Sequence, residues 1–280
     1  MSTARKPALL PCLALAIALL APRVAPGDDA PKAGALVIVG GGGMPDNVRD
    51  KFMALAGGKA AKLIVIPTAS EDADKKDEEE AYLKPWRRYE PANLTLLHTR
   101  SREKADTAEF ARPIAEATAV WFSGGDQNKI IEAYRGTAVE REFHALLKRG
   151  GVLGGTSAGA AIMSDVMIRG GNPVAEVGRG FGFVKNAVVD QHFLKRSRMN
   201  RLYGVISAHP ELIGIGIDEG TAFIIEGDRW SVVGRSAVLA FEVGKDGQPP
   251  RFASFTEGDR GKYPATGLPT PERSRQAEDE

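Results

Sequence analysis

The sequence predicts an α/β protein, a three-layer sandwich whose mostly parallel central sheet carries helices on both faces. Three observations support this. Four short apolar runs end in glycine or other small residues: ALVIVGGG (35–42), KLIVIPTAS (62–70), ATAVWFSGGD (117–126) and GGVLGGTS (150–157). Continuous apolar runs of this length read as strands buried on both faces. Polar, helix-prone stretches at 46–56, 74–89 and 137–149 separate them, and that alternation marks the crossovers of a parallel sheet. Finally, TAFIIEGDRWSVVGRSAVLAFEV (221–243) holds three short strands divided by Gly-Asp and Gly-Arg turns. These are expected as antiparallel strands at the C-terminal edge of the sheet.

The elements can be justified in chain order. Arg5 and Lys6 precede an apolar run at 8–21, and small residues follow at Ala21 and Ala25. This pattern reads as a secretory signal peptide over 1–25, too short for a comfortable membrane span. A secreted or periplasmic protein is expected, with no membrane association after cleavage. Cys12, the single cysteine, lies in that run, so a cleaved chain would rely on its core rather than on disulfides. Residues 26–34 read as a linker and 35–255 as one α/β domain. The charge-rich run at 71–88 reads as a solvated helix face. From 256 to 280 the chain is polar and rich in proline and charge, and reads as a disordered tail. The 280 residues include 43% apolar residues, enough for a full core, and 37 basic against 36 acidic residues. That balance argues against a nucleic-acid partner, which requires a net positive face. An exposed edge in 221–243 would let two copies pair, so a homodimer is an expected option.

Ligands of open α/β sheets bind at the carboxyl ends of strands. Glycine-rich segments fall at such ends at 40–43, 124–125 and 154–159. Within the last, Gly155-Thr156-Ser157-Ala158-Gly159 has the Gly-x-Ser-x-Gly spacing of a nucleophile elbow, with a helix expected over 158–164. A phosphate-binding or purely structural turn would share that spacing, but no lysine follows as in a P-loop. A nucleophilic serine needs a base and an orienting acid. Of the four histidines, His144 falls in a helical stretch, His98 ends the strand-like run NLTLLH, and His209 precedes a proline. His192 follows the apolar run AVVDQ and so stands at a strand end. Asp218 and Glu219 follow IGIGI and stand at another; the residues alone leave the choice between them open. Backbone N–H groups of Gly125 and Ala158 are candidates for an oxyanion hole. There is no His-x-x-x-His pair and no cysteine after position 12, so a hydrolase without metal or cofactor is expected. Beside His192, Lys195, Arg196, Arg198 and Arg201 form a basic cluster whose guanidinium forks suit carboxylates. The expected substrate is a peptide or polymer rich in carboxylates.

Five motifs occur in order: SGGDQ (123–127), GGTSAGA around Ser157, DQHF (190–193), the arginines 196, 198 and 201, and GIDEGTA (216–222). Together they resemble the cyanophycinases, part of a serine peptidase family that includes aspartyl dipeptidases. The fold of that family is similar to class I glutamine amidotransferases. The resemblance runs from about residue 35 to 243. It implies Ser157 as nucleophile, His192 as base and Glu219, rather than Asp218, as orienting acid. It places Asp126, Gln127, Gln191, Arg196, Arg198 and Arg201 at the substrate. The implied reaction is hydrolysis of cyanophycin, a polyaspartate carrying arginine on its side chains, to β-aspartyl-arginine. Alternatives are an aspartyl or isoaspartyl dipeptidase and a non-catalytic binding module of the same fold. The 169–186 segment is short and glycine-rich beside cyanophycinases, which leaves the pocket for the substrate arginine open.

Overall fold

A computed structural model describes residues 33–244, 248–264 and 266–272. The expected signal peptide, most of the linker and the last eight residues lie outside this range. The first half alternates strand and helix: β1 (Ala35–Val39), α1 (Asp46–Ala56), β2 (Lys62–Ile66), α2 (Glu79–Arg87), β3 (Asn93–Leu96), α3 (Arg102–Ala105), α4 (Ala108–Glu116), β4 (Ala119–Phe122), α5 (Gln127–Tyr134), α6 (Ala138–Lys148), β5 (Val152–Thr156) and α7 (Ala158–Ala161). The second half is mostly strand: β6 (Val166–Gly170), β7 (Glu176–Arg179), β8 (Ala187–Gln191), α8 (Met199–Ala208), β9 (Ile213–Ile217), β10 (Thr221–Glu226), β11 (Arg229–Gly234), β12 (Val238–Glu242), β13 (Arg251–Phe255), β14 (Arg260–Lys262) and β15 (Thr270–Pro271).

The nine-stranded central sheet has the order β15-β14-β11-β10-β1-β5-β4-β2-β3. Pairing is parallel from β1 across to β3 and antiparallel from β1 outward through β10, β11, β14 and β15. Side chains on a strand alternate between faces, and here both faces are buried. Leu36 and Ile38 of β1 join one core with Ile114, Ile130 and Phe143 from α4, α5 and α6. Val37 and Val39 join another with Phe52 of α1 and Trp86 of α2. Phe52, Trp86 and Trp121 pack ring to ring at 5.0–5.3 Å in that second core. The continuous apolar runs follow directly from this two-sided burial.

A second sheet has the order β13-β12-β9-β8. Val189, Ile215, Ile217 and Val238 turn one of its faces into the first core. Its other face takes α8, through Val188, Leu202, Val205, Ile206 and Phe241.

Three local expectations need correction. Of the three strands in 221–243, only β10 and β11 extend the central sheet; β12 pairs with β9. Asp218 decides this, because its backbone N–H donates to Ala237 O and its carboxylate accepts from Ser236 Oγ, tying the turn after β11 to the end of β9. The 74–89 stretch is divided: Ser70 Oγ accepts the Asp72 N–H and starts a separate turn at Glu71–Asp74, and the α-helix begins only at Glu79. The expected tail is partly strand, since β14 pairs with β11 and β15 with β14. Tyr263 and Leu268 pack against the first core, with the Tyr263 ring 6.3 Å from Phe223, and Tyr263 OH donates to Lys185 O at 2.9 Å. A few apolar residues in a polar stretch suffice to dock it.

Candidate active site

Ser157 immediately follows β5, His192 follows β8, and Glu219 lies two residues beyond β9. The Ser157 backbone has φ 55° and ψ −109°, a costly conformation for a residue with a side chain and the one expected at a strand-to-helix elbow. The neighbouring glycines are needed for space. A Cβ on Gly155 would stand 2.5 Å from Gly159 O, and one on Gly159 would stand 2.5 Å from Phe122 O. The elbow helix is one turn, Ala158–Ala161, shorter than the expected 158–164.

The three side chains meet. Ser157 Oγ lies 2.8 Å from His192 Nε2, and His192 Nδ1 lies 2.6 Å from Glu219 Oε1. The open choice between the acids is thereby resolved. Asp218 instead accepts the Lys195 N–H at 2.9 Å and the Ser236 hydroxyl at 2.8 Å. Burial alone would raise its pKa, but these donors hold it below the ordinary range. Of the other histidines, His98 bonds Thr68 and Asp74, His144 packs against Phe183 at 4.9 Å, and His209 ends α8.

The end of β1 aligns the three segments, a role that the glycine run at 40–43 only hinted at. Val39 O accepts the Ser157 N–H (3.0 Å), Gly40 O the His192 N–H (2.6 Å) and Gly41 O the Gly220 N–H (2.9 Å). Three successive carbonyls thus position the serine, the histidine and the residue after the glutamate. The approach is so close that a Cβ on Gly41 would sit 2.4 Å from the His192 ring, and one on Gly42 would sit 2.8 Å from Glu219 Oε2.

Burial pushes the His192 pKa below the ordinary histidine range; the hydrogen bond to Glu219 opposes that shift, and the charge of Arg196 reinforces it. The ring is therefore neutral at neutral pH. Its Nδ1–H donates to Glu219, leaving Nε2 to accept the Ser157 proton. A hydroxyl held this way can lose its proton as it attacks a carbonyl. The Ser123–Gln127 turn lies alongside: a Cβ on Gly124 would be 3.4 Å from Ser157 Cβ. Ala158 opens α7, so its N–H has no acceptor within the helix. The Gly124 turn and Ala158 thus approach Ser157 from two segments.

The structure redistributes the remaining candidates. Arg201 is 4% exposed and grips both oxygens of the buried Asp190 carboxylate, with Nη1 donating to Gly171 O. It braces the DQHF strand, which corrects its expected role as a substrate contact. Arg198 is also buried and donates from Nη1 to Gln191 O and Gln191 Oε1. Burial first, then repulsion from Arg201, lowers its pKa to about 10. Gln191 is thereby occupied as well. Gln127 Nε2 donates to Ile168 O and Arg169 O and anchors the β6–β7 hairpin. Asp126 accepts the Asn128 N–H and caps α5. Arg196 alone of the three arginines is exposed.

Comparison with known proteins gives the family. The model of peptidase family S51 matches residues 36–233. The chain is 33% identical over 211 residues to a cyanophycinase of Geminocystis herdmanii, covering 70% of this chain and 77% of that one. It is 32% identical over 223 residues to a cyanophycinase of Trichormus variabilis, covering 75% and 73%. Among solved structures, a peptidase from an acI-B1 actinobacterium matches with a TM-score of 0.63 at 26% identity, over 83% of this chain and 98% of that chain. A protein described as a putative peptidase E from Listeria monocytogenes shares the fold, with a TM-score of 0.50 at 16% identity over 72% and 99%. With an elbow serine at the heart of the matched segment, the chain belongs to peptidase family S51 and is a serine-type peptidase.

Proposed function

We propose that this chain is a serine exopeptidase that hydrolyses cyanophycin to β-aspartyl-arginine dipeptides. Ser157 attacks the carbonyl of an aspartyl peptide bond while His192 Nε2 takes its proton. Glu219 holds the imidazole by Nδ1 and stabilises the imidazolium. His192 returns the proton to the leaving amine, and water then releases the acyl group by the same steps in reverse. Gly125 and Ala158 N–H groups receive the oxyanion, each worth about 3 kcal/mol in the barrier. Arg196, free at the rim, meets a substrate carboxylate. The mechanism rests on the unbroken Ser157–His192–Glu219 line at 2.8 and 2.6 Å. The substrate rests on the relatives named cyanophycinases.

Mass analysis of cyanophycin digests tests both parts. Release of β-aspartyl-arginine by the wild type, with none from Ser157→Ala, is the expected outcome. Untouched cyanophycin together with cleavage of α-aspartyl dipeptides would move the reading to an aspartyl dipeptidase. The apolar run at 8–21 behind Arg5 and Lys6 supports export, and N-terminal sequencing of protein recovered outside the cytoplasm checks it.

A further inference from the structure

Behind the proposed oxyanion site lies a polar network that the mechanism above does not use. Asp74 accepts from Arg100 Nε at 3.0 Å and from His98 Nε2 at 3.0 Å. His98 Nδ1 lies 2.9 Å from Thr68 Oγ1, which lies 2.7 Å from Tyr134 OH; that phenol accepts the Thr99 N–H at 3.2 Å. One proton order satisfies these contacts: Thr99 N–H donates to Tyr134, Tyr134 O–H to Thr68, Thr68 O–H to His98 Nδ1 and His98 Nε2–H to Asp74. Arg100 also donates from Nη1 to Thr68 O at 2.5 Å and from Nη2 to Ser70 O at 2.7 Å. It straddles one residue, Ala69, which is fully buried.

The carbonyl of Ala69 is the seat of the SGGDQ turn. It accepts the Asp126 N–H at 2.9 Å, and Ser123 N–H is held by Ile66 O at 3.0 Å. Gly125, at φ 138°, passes so close that a Cβ on it would stand 2.2 Å from Ala69 O. Any shift of Ala69 is therefore transmitted to Gly125. The geometry points to Arg100 and Asp74 as positioning residues for the oxyanion site: through Thr68 O and Ser70 O they fix the Ala69 carbonyl on which the Gly125 turn rests. The inference rests on the reading of Ser157 and Gly125 given above.

The test uses two variants, Arg100→Met and Asp74→Asn, and two readouts. One is the rate at which a fluorophosphonate labels Ser157, since its phosphonyl oxygen occupies the oxyanion position whatever the natural substrate. The other is the division between kcat and KM on cyanophycin. A displaced donor costs less than a deleted one, which costs about 10²–10³-fold, so Arg100→Met should slow both labelling and kcat by about 10- to 100-fold with KM unchanged. Asp74→Asn, on a side chain 59% exposed, should fold normally and give a smaller loss in the same readouts. Labelling and kcat within about twofold of wild type in variants that melt normally would overturn the inference, as would a loss confined to KM. Should Arg100→Met fail to fold, Asp74→Asn decides alone. A wild-type protein that takes no label at Ser157 would overturn the nucleophile assignment itself, a separate and recognisable result.

Discussion

Two lines of hydroxyl, imidazole and carboxylate run through this molecule: Ser157–His192–Glu219 and Thr68–His98–Asp74. Their bond lengths are alike, 2.8 and 2.6 Å in the first, 2.9 and 3.0 Å in the second. Their surroundings differ. Ser157 stands on a strained elbow, half-buried, at the start of the Ala158–Ala161 helix. Thr68 is wholly buried and its hydroxyl is engaged by Tyr134, so no carbonyl can reach it. A triad of residue types is thus insufficient for nucleophilic chemistry. The first line is built to give up a proton at an accessible atom, and the second to hold a turn in place.

The sharpest way to break this contrast is to remove each hydroxyl. Ser157→Ala should lower kcat by about 10⁵-fold or more while leaving the melting temperature near wild type. Thr68→Val should instead destabilise by about 1–3 kcal/mol, because it strands buried polar partners, and should slow turnover far less. Comparable rate losses from the two variants would end the distinction. The first line also depends on its own brace. Arg201→Met removes the main partner of buried Asp190 and should cost about 3–5 kcal/mol in urea unfolding. A rise in KM with unchanged stability would return Arg201 to the substrate. Gly41→Ala perturbs the first line alone: its new methyl would strike the His192 ring at a backbone φ of 101°. Activity should fall by about 10²-fold or more, read against intact near-ultraviolet circular dichroism. The smallest effect concerns Arg196. His192 must be neutral to accept a proton, so kcat/KM should fall as pH drops through its lowered pKa. Arg196 helps hold that pKa down; Arg196→Gln should raise it and move the acid limb to higher pH. High salt should do the same to the wild type by screening. An acid limb indifferent to both would remove Arg196 from the field at His192.

Much of this was legible in the chain because parallel strands buried on both faces write themselves as unbroken apolar runs. The four runs at 35–42, 62–70, 117–126 and 150–157 contain β1, β2, β4 and β5. Ser157 and His192 were legible for a related reason, since small or polar residues directly after such runs fall at the carboxyl edge. Less was legible where one residue's partner is distant in sequence. The departure of β12 to a second sheet is tied by Asp218 capturing Ser236, and docking of the polar segment after Phe255 depends on Tyr263 and Leu268 reaching the first core. Neither leaves a periodic signal.

The sequence by itself determined the layered α/β architecture, the elbow and the candidate base, because alternation and glycine spacing act over a few residues. The family resemblance pointed to Glu219, but only the tertiary structure put its carboxylate on the imidazole and gave Asp218 a turn to tie. It alone turned Arg201 inward and made the successive carbonyls of Val39, Gly40 and Gly41, at the end of β1 and just beyond it, the common scaffold of the site. Those outcomes depend on distances between segments separated by dozens of residues, which packing sets and no local pattern records.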